Sequence, residues 1–101
     1  MIVDFPNIRH MRVFLETVRS GSVSVAADRC ALSQPAATQA IKRLEADTGT
    51  GLLVRRAGGF VTTDCGALFA ARVAAALIHL QNGARLAMRS AKRAARRLTG
   101  W

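Results

Sequence analysis

The chain has 101 residues, half of them apolar, which suffices for one small domain with its own core and excludes an intrinsically disordered protein. Fifteen Lys and Arg against six Asp and Glu give a formal net charge of +9, which indicates an anionic partner, either nucleic acid or an acidic membrane surface. Four Phe, one Trp and no Tyr are few rings for a stacking surface, which argues against a single-strand binder.

The first predicted helix begins after Asn7, a suitable N-cap, and ends at Gly21. Its apolar residues recur at spacings of three and four: Ile8, Met11, Phe14, Leu15 and Val18. A second, short helix is predicted from about Ser24 to Ala31, with Ser22 or Ser24 as its cap.

The third predicted helix follows a turn at Leu32 and begins at Ser33, whose hydroxyl can cap it. Pro35 lies in the first turn, where proline removes no hydrogen bond that the helix needs. Gly49 and Gly51 end the helix. Its core-facing residues are Ala37, Ala40, Ile41 and Leu44. Two short helices joined by a turn, with a polar cap on the second, are typical of a motif whose second helix lies in the DNA major groove.

Two β-prone runs flank the break Ala57-Gly58-Gly59 and predict a hairpin, with Arg55 and Arg56 at the start of its loop. A long fourth helix is predicted from about residue 65 into the nineties, with Thr63 or Asp64 as its cap. It carries an apolar stripe that is interrupted at residues 82–83. The stripe includes Leu68, Ala71, Ala75, Ile78 and Leu86.

This order of elements predicts a mainly α fold. Residues 1–63 are expected to form a winged helix-turn-helix, with three helices and a β-hairpin wing, and residues 64–101 a long C-terminal helix with a basic tail. The fold and the basic charge together indicate a DNA-binding domain.

Several short motifs run from Ile8 to the long helix without a gap. They are Ile8-Arg9-His10-Met11 to Phe14, Gly21-Ser22-Val23-Ser24 with Ala26-Ala27, Leu32-Ser33-Gln34-Pro35-Ala36, Ile41-Lys42-Arg43-Leu44-Glu45, then Gly49, Leu52, Arg55, and Thr63-Asp64-Cys65-Gly66. With a Ser-Gln-Pro-Ala step followed by Ile-x-x-Leu-Glu, the chain resembles the N-terminal DNA-binding domain of LysR-type transcriptional regulators.

The resemblance implies a sequence-specific regulator that binds double-stranded DNA as a homodimer, with the third helix in the major groove and the wing on the minor groove or phosphates. In that family the fourth helix pairs with a second subunit, which assigns dimerisation to the stripe residues, and a higher oligomer stays open. The family's ligand-sensing domain is expected to be absent from this chain, and a small-molecule effector with it. Leu53, Thr62 and Gln39 depart from the family's usual Phe, Leu and Arg. The change at Gln39 would alter the DNA sequence that is read.

The residues predicted to contact DNA come from three places. They are Ser22 and Ser24 before the second helix, Ser33, Gln34, Pro35, Thr38, Gln39, Lys42 and Arg43 on the third, and Arg55 and Arg56 in the wing. A helix N-terminus attracts phosphate, and the amide of Gln34 can pair with adenine. Pro35 and Thr38 can contact a thymine methyl group. Helix capping is the alternative role for the serines, and simple solvation is the alternative for the charged side chains.

The fourth helix ends in a basic run with no acidic residue after position 64. Its members are Arg85, Arg89, Lys92, Arg93, Arg96 and Arg97. This run can touch DNA or a membrane. We interpret it as the solvated side of a dimer helix that supports DNA binding electrostatically as a secondary effect.

Other classes of site are not indicated. Cys30 and Cys65 lack the spacing of a disulfide framework or a zinc site, so both are expected to be buried apolar residues in a reducing compartment. His10 and His79 are expected to be structural. No cofactor or metal is expected, and the sequence lacks the motifs of a hydrolase triad or a P-loop, so an enzyme is not expected. Without a signal peptide or an apolar span, we expect a cytoplasmic protein without membrane contact.

The competing hypothesis is a helical dimerisation or protein-interaction module, in which the helix-turn-helix serves only as a scaffold. A short form that pairs with a full-length relative would act in this way. Selection of bound sequences from a random duplex pool separates the two hypotheses.

Overall fold

A computed structural model describes residues 6–99 of the chain, so residues 1–5 and 100–101 of the two predicted domains lie outside the described residues. The elements in chain order are α1 (Ile8–Ser20), α2 (Val23–Arg29), α3 (Gln34–Thr48), β1 (Leu53–Arg56), β2 (Gly59–Thr62) and α4 (Asp64–Thr99). The predicted fold class is confirmed: three helices, an antiparallel hairpin and a long helix.

Two buried clusters lie on either side of α1. In the first, the fully buried Phe14 of α1 packs with Leu44 of α3, with Leu52 just before β1 and with Val73 of α4. The second lies where α2 and α3 meet α1, and small alanine side chains allow the helices to approach closely there. Its buried members are Val13, Val23, Ala27, Ala37, Ala40 and Ile41. The two clusters fix α3 against α1 on one side and against α2 on the other.

The helix ends follow the predicted capping residues. The side chain of Asn7 accepts from the amide of Arg9 at 2.8 Å, and Gly21 closes α1 at φ 73°. The hydroxyl of Ser33 accepts from the amide of Ala36 at 3.2 Å at the start of α3. Capping of this kind contributes about 1 kcal/mol per helix.

The second helix is shorter than predicted, since it runs Val23–Arg29, and Ser22 rather than Ser24 caps it. It ends early because Ala31 adopts a left-handed conformation, with φ 56°. The amide of Leu32 then donates to the carbonyl of Ala27 at 2.9 Å, which closes a Schellman-type turn. This turn redirects the chain into α3.

The hairpin is joined tightly to the start of α4. The hydroxyl of Thr63 donates to the carbonyl of Gly51 at 2.7 Å and accepts from the amide of Gly66 at 2.9 Å, so Thr63 caps α4. Gly66 is buried, and a Cβ at this position would overlap the carbonyl oxygen of Leu52. Only glycine therefore lets α4 lie this close to the hairpin.

The long helix leaves the core after its first turns. Its buried residues are Gly66, Ala70 and Val73, and Leu77 is the last residue that packs against the core. From residue 78 to residue 99 every residue is exposed, and the helix continues unbroken through residues 82–83. Its 36 residues make it about 54 Å long at 1.5 Å per residue, and the part after Leu77, which is more than half of the helix, extends beyond the core.

The two cysteines differ. Cys30 packs against the cluster between α2 and α3, and burial raises the pKa of its thiol. The prediction that both cysteines are buried is wrong for Cys65, which is exposed because it lies in the first turn of α4, next to the core-facing Gly66. Within residues 6–99, no helix has the length and apolar character needed to cross a membrane.

Candidate nucleic-acid interface

The start of α2, the outer side of α3 and the hairpin enclose an open groove of about 510 Å³. Three elements that are distant in sequence contribute polar or basic side chains to it. The residues predicted to contact DNA that line this groove are Ser22, Ser24, Gln34, Thr38, Lys42 and Arg55. The structure therefore brings together most of the residues that the sequence singled out, on one concave surface.

A second, shallower depression of about 460 Å³ lies on the outward face of α3 alone. Its lining adds Pro35 and Gln39 to residues shared with the groove, namely Gln34, Thr38 and Lys42. These positions lie on adjacent turns of α3, opposite the buried Ala37 and Leu44. The outward face of α3 is consequently polar and free of large apolar side chains.

Three predicted contacts line neither depression. Ser33 is exposed at the N-cap of α3. Arg43 lies on the far flank of α3, where its Nε is 3.4 Å from a carboxylate oxygen of Asp47. Arg56 follows Arg55 on β1 and therefore points to the opposite face of the hairpin. The structure separates these side chains from the groove.

Arg55 is held toward the groove by the second strand of the wing. Its guanidinium carbon lies 4.8 Å from the centre of the ring of Phe60, which is its cross-strand partner. The amide of Phe60 donates to the carbonyl of Gly21 at 3.0 Å, so the hairpin is fixed against the corner between α1 and α2. Gly59 permits this contact, since a Cβ there would overlap the Gly21 carbonyl oxygen. As a result Arg55 and Ser22 border the same groove.

Glu45 is a site residue that sequence periodicity did not reveal. Its Oε2 accepts from the amide of Leu52 at 2.7 Å and from the amide of Leu53 at 3.4 Å. This side chain fixes the start of the wing relative to α3, although it contributes no positive charge to the groove that it lines. The only signal in the sequence was its place in the Ile-x-x-Leu-Glu motif.

The residues predicted to mediate dimerisation are all exposed. They are Leu68, Ala71, Ala75, Ile78 and Leu86. Leu68 exposes 74% of its surface although it lies beside the core, because it points away from the side of α4 that buries Ala70 and Val73. The structure therefore leaves the stripe free for a partner.

Three helices with a capped, outward-facing third helix, followed by a hairpin beside it, define a winged helix-turn-helix domain. Residues 8–67 match the family described as "Bacterial regulatory helix-turn-helix protein, lysR family". The match covers more than half of the chain, and the chain belongs to this family. The resemblance seen in the sequence motifs is confirmed, and the family consists of regulators rather than enzymes.

Named relatives agree with this assignment. The chain is 39% identical over 67 residues to the regulator TdcA of Escherichia coli K12, which is 66% of this chain and 22% of TdcA. It is 34% identical over 86 residues to PcaQ of Agrobacterium fabrum, which is 85% of this chain and 28% of PcaQ. The chain thus spans about a quarter of the length of these regulators.

Solved structures resemble most of the described fold. The crystal structure of BenM_DBD with catB site 1 DNA has a TM-score of 0.80 at 29% identity, over 84% of this chain and 94% of that chain. The CbnR_DBD–DNA complex has a TM-score of 0.77 at 28% identity, over 84% of this chain and 98% of that chain. Both are DNA complexes.

Proposed function

We propose that this chain is the DNA-binding part of a LysR-type transcriptional regulator, which binds double-stranded DNA with α3 in the major groove and the hairpin on the minor groove or phosphates. The observation that carries the proposal is the groove shared by Ser22, Gln34 and Arg55, which come from three separate elements. The likeness to two domains crystallised with DNA supports it.

Within this proposal, two kinds of contact divide the interface. Phosphate contacts come from Lys42, Arg55 and the N-terminus of α3 at Ser33, and they position the domain on the duplex. Base contacts come from the exposed face of α3, where an amide such as that of Gln34 can pair with adenine. Pro35, Thr38 and Gln39 complete this face. Arg43 and Arg56 contribute to the surrounding positive potential and contact phosphate only outside the groove.

We further propose a homodimer formed through α4. Leu68, Ala71, Ala75 and Ile78 are spaced three and four apart, as in the a and d positions of a two-helix coiled coil. Leu86 flanks this seam one turn beyond Asn82. A large exposed leucine beside a buried core is an unfavourable surface for a monomer, which supports burial of the stripe by a second copy.

Selection from a random duplex pool tests the function directly. The full chain is expected to enrich a sequence, and Gln34→Ala or Thr38→Ala is expected to relax the preference at one or two base pairs, roughly 5- to 150-fold, because a good base contact discriminates by about 1–3 kcal/mol. Gln81→Ala and Thr50→Ala are matched controls, since both side chains are exposed and lie outside the groove.

Two results would count against this proposal. Unchanged preference in the α3 variants would show that another element reads the bases. A chain that dimerises but enriches no duplex sequence would instead support the interaction module, in which the helix-turn-helix is only a scaffold.

A further inference from the structure

The positive charge of the chain is distributed very unevenly. Residues 1–64 contain eight Lys and Arg against six Asp and Glu, whereas residues 65–101 contain seven against none. Seven of the nine net charges therefore lie in residues 65–101 and not in the part of the chain that forms the groove. The interface described above leaves most of the charge without a function.

The basic residues of α4 continue the positions of the apolar seam. The seam advances by three and four residues through Leu68, Ala71, Ala75 and Ile78. The next positions in the same series are Asn82, Arg85, Arg89, Lys92 and Arg96. The same side of α4 is thus apolar over residues 68–78 and basic over residues 85–96. Because a coiled-coil seam of arginines is repulsive, the seam of the proposed dimer is expected to end before Arg85, and Leu86 lies beside the seam rather than in it.

The basic side chains have no acidic partner on their own helix. All are exposed, and in residues 6–99 the ion pairs involve Glu16 and Asp47, which lie on α1 and α3. Arg85 and Arg89, like Arg89 and Arg93, are four residues apart, and each such like-charge pair destabilises a helix by about 0.2–0.5 kcal/mol. A polyanion along this side removes the repulsion.

The opposite side of the same segment argues against a membrane as that polyanion. It is composed mostly of alanine: Ala84, Ala87, Ala91, Ala94 and Ala95. Helices that lie in a membrane interface present Trp, Phe or Leu on the apolar side, whereas here small alanines predominate and the large apolar residues are Leu86, Met88 and Leu98, without an aromatic ring. Phosphates of a nucleic-acid backbone match a row of arginines without requiring an apolar side.

We propose that the basic side of α4, defined by Arg85, Arg89, Lys92 and Arg96, is a second duplex-DNA site that contacts the phosphate backbone without reading sequence. This inference rests on the proposed function of the groove. The site begins about 28 Å and ends about 45 Å along α4 from Gly66, at 1.5 Å per residue. It therefore contacts either DNA that flanks the recognised site or a second duplex.

The salt dependence of DNA binding by the full chain tests this site. Each phosphate contact adds about 0.9 to the slope of log K against log salt, so Arg89→Gln/Arg96→Gln should lower the slope by about 1.8 per chain and weaken binding roughly tenfold or more near 0.1 M salt. Arg89→Lys/Arg96→Lys keeps the charge and should bind like the parent. Arg9→Gln/Arg12→Gln removes the same charge from exposed positions of α1 and should change the slope much less.

Two arms of the experiment identify which DNA is contacted. If the site binds flanking DNA, Arg89→Gln/Arg96→Gln loses affinity on a duplex of roughly 60 base pairs. It does not lose affinity on one of roughly 20 base pairs, which is about 70 Å long. If it binds a second duplex, the parent but not Arg89→Gln/Arg96→Gln couples two labelled duplexes. Equal slopes for this variant and Arg9→Gln/Arg12→Gln on every duplex, without coupling, would overturn the proposal.

Two further results separate this proposal from its alternatives. Phosphatidylserine vesicles that bind the parent and not Arg89→Gln/Arg96→Gln, with unchanged DNA slopes, would assign the basic side to a membrane and also overturn the proposal. A parent chain without sequence preference would refute the proposed reading by α3. The slopes on unselected duplex would still decide the α4 site, so the two failures are distinguishable.

Discussion

Residues 8–77 and residues 78–99 are both mainly helical, but different forces organise them. In the first region two buried clusters fix every helix, and nine basic residues are accompanied by five acidic ones. In the second region every residue is exposed and every charge is positive. Packing usually supplies most helix stability, so it stabilises the helices of the first region, whereas the second region has only helix propensity within its own chain. The pattern in the sequence of residues 78–99 is therefore one of helical spacing and positive charge, since none of these residues is buried.

The largest expected effect is on the stability of the first region. Phe14→Ala removes a fully buried ring that contacts Phe69 of α4, with ring centres 5.9 Å apart, and should lower the free energy of unfolding by about 3–5 kcal/mol. Leu98→Ala, at a side chain with 82% of its surface exposed, should change it by less than about 0.5 kcal/mol. Denaturant unfolding followed by circular dichroism measures both. A similar loss in the two variants would mean that residues 78–99 pack onto a core of their own.

The next effect concerns the seam where the two regions meet. Ile78 and Leu80 each expose 54% of their surface but lie on nearly opposite sides of α4. Ile78→Glu should weaken dimerisation at least tenfold, because a buried isoleucine contributes about 1.5–3 kcal/mol and 1.4 kcal/mol corresponds to a factor of ten. Leu80→Glu should leave the dimer nearly intact. Sedimentation at several concentrations measures both. Dissociation by Leu80→Glu alone would place the interface on the other side of α4.

Local signals in the sequence predicted much of the first region. Asn7, Ser33 and Gly49 marked helix ends correctly, and apolar residues at spacings of three and four identified the core face of α3. These features depend on residues near each other in the chain, where capping and periodicity act. Ala31 was missed because a left-handed alanine has no sequence signature, and the Schellman turn that it closes shortened α2.

Contacts between distant elements were not predictable in the same way. The hydrogen bond from Phe60 to Gly21 and those from Leu52 and Leu53 to Glu45 determine where the wing lies, and no periodic pattern encodes them. The two adjacent arginines of β1 also have different surroundings. Arg55 borders the groove and Arg56 does not, since side chains alternate along a strand. The structure therefore places six of the eleven predicted site residues in one groove, and their contact with DNA stays a prediction.

The smallest expected effect distinguishes two roles of one residue in the first region. Ser33 caps α3 through its hydroxyl and is also proposed to lie near a phosphate. Ser33→Ala should cost about 1 kcal/mol of stability, whereas Ser33→Asp should retain stability, because aspartate is an equally good cap and favours the positive end of the helix dipole.

The aspartate also places a negative charge beside the proposed phosphate, so Ser33→Asp should weaken DNA binding while unfolding stays unchanged. Thr50→Asp, at an exposed position outside the groove, is the control and should alter neither quantity appreciably. Unfolding curves and duplex titrations at fixed salt provide the two readings. If Ser33→Asp binds DNA as tightly as the parent, the hydroxyl serves only as a cap. No such separation of roles is needed at Arg89, since that exposed side chain has no intramolecular partner on α4 and its replacement tests binding alone.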